Sequence, residues 1–114
     1  MSLRIEPADI AVAVAARGPA AYLLTSGPTR PHAVSVAVTV TDGGLHVGAG
    51  RRTAANVLER PEVTLLWPLS ADHPDHTLLV DGTATLDAGG ATITVTPESA
   101  ILHVATPSGP DRRC

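Results

Sequence analysis

Residues 45–67 read LHVGAGRRTAANVLERPEVTLLW, and this stretch decides the fold. Leu45–Gly48 has the composition of a strand end, followed by a glycine turn. Thr53 to about Glu59 reads as a short helix, stopped by Pro61. Glu62–Trp67 is a further strand, closed by Pro68. Gly48 and Gly50 are expected to bend the backbone sharply and to let a ligand come close. Arg51 and Arg52 then stand at the mouth of the helix that Thr53 opens. A helix N-terminus carries partial positive charge and unpaired N–H groups, so two cations there oppose helix stability. An anion between them and the helix end, most simply a phosphate, removes the conflict.

Working outward, the flanking segments are short strands joined by tight turns. His32–Thr41 alternates strictly: Val34, Val36, Val38 and Val40 on one face, Ala33, Ser35, Ala37 and Thr39 on the other. The second face is small, and suits a flat ligand, another subunit or a second packed layer. Asp42-Gly43-Gly44 is hairpin material, so Leu45–Gly48 should pair antiparallel with the preceding strand. Ala21–Thr25 is an earlier strand, and Pro7–Ala16 a short helix ended by Gly18-Pro19. Downstream, Thr77–Leu86 puts Leu78, Val80, Ala84 and Leu86 on one face, with Gly82 marking a bulge or bend. Ala91–Thr96 and Ser99–Ala105 read as two last strands separated by Pro97. About six to seven strands and two short helices, without βαβ alternation, make a mainly β fold: a split antiparallel β-barrel.

The chain has 114 residues, the length of a single domain, 1–114, with 106–114 as a loose tail. Its apolar content is Val, Ala and Leu rather than aromatic: no Phe, one Tyr and one Trp. Small side chains bury little area each, so dimerisation or a bound cofactor would add stability. The net charge is −3, and all eight basic residues are arginine, which argues against a nucleic-acid partner. No run is long enough to span a membrane, and the first residues lack the apolar core of a signal peptide, so a cytoplasmic location is expected. The single cysteine, Cys114, excludes an internal disulfide.

The anion turn is neither a dinucleotide fingerprint nor a P-loop, because GAGRRT lacks a third glycine and the chain has no lysine. Asp72, His73, Asp75 and His76 are metal-ligand types, but their spacing matches no strong zinc pattern, and no metal site is expected. Ser35 and Ser99 have no neighbouring base or elbow motif, which disfavours nucleophilic hydrolysis.

Three segments in this order, PHAVSVAVTVTDGGLHV, GRRTAANVLERPEVTLLW and LLVDGTATL, resemble the pyridoxamine 5′-phosphate oxidase-like family of flavin-binding split barrels. The resemblance covers roughly Ala21–Val104. It implies a homodimer with FMN at the subunit interface, acting on a small-molecule substrate. It places the phosphate on Arg51, Arg52 and Thr53, and the ring along Val34, Ser35 and Val36 and along Val47, Gly48 and Ala49. The family often has lysine where Thr53 stands. The substrate-phosphate groups of a true vitamin B6 oxidase have no counterpart here, so that activity is not expected. The expected function is therefore an FMN-dependent oxidoreductase with no identified catalytic side chain. The alternatives are a deazaflavin in place of FMN, or a cofactor-free module that binds a small ligand or dimerises. A weaker alternative is haem held by His32, His46 or His103.

Overall fold

The computed structural model describes residues 2–104; the tail expected to be loose lies outside them. The strands are β1 (Ser2–Ile5), β2 (Ala20–Ser26), β3 (Pro31–Ala37), β4 (Thr39–Thr41), β5 (Gly44–Gly48), β6 (Glu62–Trp67), β7 (Thr77–Leu86) and β8 (Thr92–His103). Two helices interrupt them, α1 (Ile10–Arg17), preceded by a 3-10 turn at Pro7–Asp9, and α2 (Arg51–Glu59). All pairing is antiparallel, in the order β3-β2-β6-β7-β8-β5-β4, with β1 added along the far half of β8.

The two ends of this order, β3 and β4, are one stretch of chain. The segment predicted as a single strand breaks at Val38, which is buried and donates its N–H to the Pro19 carbonyl at 2.8 Å. Before this corner the chain pairs with β2; after it, with β5. The sheet therefore curls into a half-barrel whose opposite ends meet at one residue. The predicted hairpin at Asp42–Gly44 is present, though its first arm is only three residues long. Gly44 is needed there: its φ is +128°, and a Cβ would lie 2.8 Å from the Val95 carbonyl oxygen.

Alternation along each strand fills the interior. A cross-strand row of Val34, Leu23, Leu65, Val80, Ala100 and Ile5 runs around the inside. Leu23, Leu65 and Val80 are fully buried. Trp67 closes one end of the core and donates its indole N–H to the Gly18 carbonyl at 2.9 Å, which fastens the end of α1. Val57 of α2 and Ile10 and Val14 of α1 complete the core.

A further sequence expectation fails at Pro97. Pro97 does not separate two strands, because β8 is continuous across it. The missing N–H is harmless: Pro97 lies beyond the part of β8 paired with β5 (to Val95) and before the part paired with β1 (from Ala100). The β7–β8 register shifts at Asp81/Gly82, the bulge expected from Gly82. Strand β1 has no counterpart in the sequence reading, since Ser2–Ile5 alternates polar and apolar over only four residues, too few to mark a strand.

Candidate functional site

Helix α2 begins two residues earlier than its sequence suggested. Gly50 is the N-cap, and the first intrahelical bond runs from Ala54 N–H to the Gly50 carbonyl at 2.9 Å. Arg51, Arg52 and Thr53 are therefore the first three helical residues. Their backbone N–H groups precede the first intrahelical donor and remain available to an anion. Arg51 and Arg52 are exposed. Thr53 is 2% exposed and turns its side chain into the protein, so only its backbone can serve the helix mouth.

Gly48 and Gly50 do not make the sharp bend expected of them. Neither has a positive φ, and Gly50 is extended at φ −79° and ψ 174°. A Cβ on either would meet no atom within 4 Å. What these glycines provide is open surface beside the helix mouth.

Of the residues expected along a flavin ring, Ser35 is exposed on the outer side of β3, while Val34 and Val36 are half-buried toward the interior. Val47 is a core residue at 2% exposure and offers only its backbone. Ala49 is half-buried and donates its N–H to the Ala91 carbonyl at 2.9 Å.

The structure adds residues that the sequence did not mark. An open cleft of about 740 Å³ lies between the β2–β3 turn and the first turns of α2, and continues onto the outer side of β3 at Ala33. Arg30 and the half-buried His32 stand on one wall, Arg52 on the other, and Asn56 at the base. Arg51 is not part of it. Successive helical residues are about 100° apart, whereas positions 52 and 56 share a face. No carboxylate lines this cleft. Other clefts, of about 420 and 330 Å³, carry Glu62, Asp81 and Glu98, or Asp72 and Asp75.

The turn wall is fixed in place. Asn56 Nδ2 donates to Thr25 Oγ1 at 3.0 Å, and both residues are buried. Arg60 Nε donates to the Ser26 carbonyl at 2.7 Å. Within the turn, Gly27 N–H donates to the Arg30 carbonyl at 3.0 Å.

Two other histidines are engaged elsewhere. His46 has a hydroxyl on each ring nitrogen, Thr41 Oγ1 at 2.6 Å and Thr94 Oγ1 at 3.0 Å. His103 Nδ1 lies 3.3 Å from Ser2 Oγ. In the 70–76 loop, Arg17 Nη2 donates to the His76 carbonyl at 2.9 Å, and burial lowers the Arg17 pKa. Among the described residues, no group of three or more His, Cys, Asp or Glu is placed to hold a metal ion. None of the described helices is long and apolar enough to cross a membrane.

The curled antiparallel sheet with its helix after β5 is the split-barrel fold of pyridoxamine 5′-phosphate oxidase-like proteins. A Listeria innocua protein provisionally assigned as a pyridoxamine 5′-phosphate oxidase superposes with a TM-score of 0.67 at 19% identity, over 85% of this chain and 98% of that one. A FAD-binding protein from Mesorhizobium loti gives 0.66 at 11% identity, over 90% and 96%. An F420 reductase gives 0.62 at 16% identity, over 74% and 90%. These likenesses establish the fold expected from the sequence. No family model matches the chain. Two uncharacterised proteins, from Mycobacterium bovis and Mycobacterium tuberculosis, are each 41% identical over 93 residues, 76% of this chain. The chain spans 58% of the length of these curated relatives.

Proposed function

We propose that the chain binds a flavin-type cofactor, FMN or a deazaflavin, and acts as a small oxidoreductase rather than a vitamin B6 oxidase. The observation that carries this reading is the carboxylate-free cleft of about 740 Å³ with Arg30 and Arg52 on its walls. Its volume lies in the range of small-molecule sites. Two arginines on separate elements repel one another unless an anion joins them, and the free N–H groups of Arg51–Thr53 favour a phosphate at the same place. The open surface at Gly48 and Gly50 and the small outer side chains of Ala33, Ser35 and Ala37 leave room for a flat ring. Fold neighbours described as a FAD-binding protein and an F420 reductase support the cofactor class.

When bound, the flavin supplies the redox chemistry, and the protein supplies binding, orientation and water exclusion. Arg52 and the α2 amides would hold the phosphate; Thr53 would contribute its N–H and no charge. We place the protein in the cytoplasm, as a homodimer. An outward row of Tyr22, Leu66, Leu79 and Ile101 crosses four adjacent strands and supports the dimer. Tyr22 in this row is 44% exposed in the single chain, and a second copy would cover it.

The buried Thr53 side chain favours a second reading, a cofactor-free module. Absorbance of the purified chain, followed by fluorescence titration with FMN and with a deazaflavin, separates the two. Saturable binding of either ligand is expected. Absence of binding at high micromolar concentration of both would leave the module reading.

A further inference from the structure

We propose that the cleft between α1 and the loop joining β6 to β7 binds a small zwitterion of the amino-acid type, its carboxylate on Arg17 and its ammonium group beside Asp72 and Asp75. The cleft measures about 330 Å³, within the range of small-molecule sites. It lies where β6 ends and β7 begins, whereas the cleft assigned to the flavin lies where β2 ends and β3 begins. The two clefts share no lining residue, so this site stands whether or not a flavin binds.

Arg17 is the residue that points to a ligand. It ends α1 and lines the cleft. Its Nη2 donates to the His76 carbonyl at 2.9 Å, while Nη1 is buried and, among the described residues, has no hydrogen-bond partner. A buried guanidinium nitrogen without an acceptor is costly, because it has lost water without gaining a partner. A carboxylate repairs this well, since the guanidinium fork offers parallel N–H groups to its two oxygens. Neither Asp72 nor Asp75 fills that role, although both line the same cleft. Arg17 is half-buried as a whole, and a shift of its head group brings Nη1 to a ligand in the cleft.

The acidic side chains decide the ligand class. Asp72 and Asp75 are exposed members of the lining and repel a plain anion. A ligand that carries its own ammonium group turns that repulsion into attraction. The C-terminal end of α1 adds partial negative charge nearby. Ala13, Pro74 and Leu102 give the cleft an apolar wall for a short side chain. The loop is already fixed on the helix. His73 Nε2 lies 3.3 Å from the Ala16 carbonyl oxygen, and Ser70 and His73 exchange backbone hydrogen bonds at 3.0 and 3.1 Å. Little order has to be imposed when a ligand enters.

The test titrates the full chain by calorimetry with L-leucine, with isocaproate, which lacks the ammonium group, and with isopentylamine, which lacks the carboxylate. Leucine should bind saturably, and each of the other two at least about tenfold more weakly. Arg17→Lys should lower leucine affinity by about tenfold or more. Asp72→Asn combined with Asp75→Asn should weaken leucine and strengthen isocaproate, a crossing that loss of structure cannot produce. Melting curves check the fold of each variant, and the double variant decides even if Arg17→Lys does not fold. Absence of saturable leucine binding to wild type overturns the proposal. So does isocaproate or isopentylamine binding as tightly as leucine, or a double variant whose affinities are unchanged.

Discussion

Asn56 and Thr25 meet inside the protein at 3.0 Å, an amide donating to a hydroxyl across the boundary between α2 and β2. Asn56→Ala leaves the Thr25 hydroxyl buried without that partner, at a cost of about 1–3 kcal/mol. Adding Thr25→Val removes the stranded hydroxyl and should recover part of the loss. A double-mutant cycle by urea denaturation reads the coupling directly. Strict additivity would show that the contact does not join helix to strand.

Gly82 and Gly48 sit in strands and should respond oppositely to a methyl group. A Cβ on Gly82 collides with the Thr96 carbonyl oxygen, where β7 and β8 shift register. Gly82→Ala should destabilise by about 1–3 kcal/mol. At Gly48 the same change meets nothing within 4 Å, so stability should stay within about 0.5 kcal/mol of wild type. Flavin affinity should nevertheless fall in Gly48→Ala, because the methyl occupies the open surface. Titration and denaturation of both variants would expose either error.

Local chemistry explains what the sequence made legible. The alternation in Thr77–Leu86 and the hairpin glycines at 43–44 are properties of neighbouring residues, and the structure keeps them. Long-range geometry was not legible. Val38 continues the alternation of His32–Thr41, but the corner there depends on a bond to Pro19. Thr53 looks like a helix opener by type, yet Gly50 caps the helix and Thr53 packs inward. Arg30 is an ordinary turn residue until α2 is laid beside it. The spacing of Arg52 and Asn56, four residues apart on one helix face, was the available signal for the cleft base.

Asp87 gives the β7–β8 turn an acid-sensitive latch. Its Oδ1 accepts from Ala91 N–H at 2.9 Å and Thr92 N–H at 3.0 Å, and its pKa is lowered chiefly by the Thr92 bond. A depressed carboxyl stabilises above its unfolded value, about 3.9, and loses the contribution as pH falls through the lower folded value. Melting temperature should therefore drop on the acid side of about pH 4, and Asp87→Asn should flatten that part of the profile. A superimposable profile for wild type and Asp87→Asn would remove Asp87 from the acid response.

Tyr22 and Leu66 are cross-strand partners in the outward row. If a second copy covers this row, Tyr22→Arg combined with Leu66→Arg brings four like charges into one interface. Sedimentation velocity should then show monomers where wild type shows dimers, with the far-ultraviolet circular dichroism unchanged. A wild-type chain that sediments as a monomer at micromolar concentration excludes the dimer.

Arg51 and Arg52 are adjacent, equally charged and both exposed, so the sequence alone treats them as equivalent. The helix makes them unequal: Arg52 lines the cleft with Asn56, and Arg51 points about 100° away. Long-range attraction to a phosphate is shared by both, but it is screened over about 10 Å at 0.1 M salt. Direct charge-assisted bonds are not screened in this way, and of the two neighbours only Arg52 can make them in this cleft. Arg52→Ala should therefore lower FMN affinity by roughly tenfold or more at 0.1 M salt. Arg51→Ala should have a smaller effect that disappears as salt rises. Fluorescence titrations of both variants at two ionic strengths distinguish contact from field. Equal losses that persist at high salt would mean that the phosphate sits on the helix axis between the two arginines, outside the cleft wall.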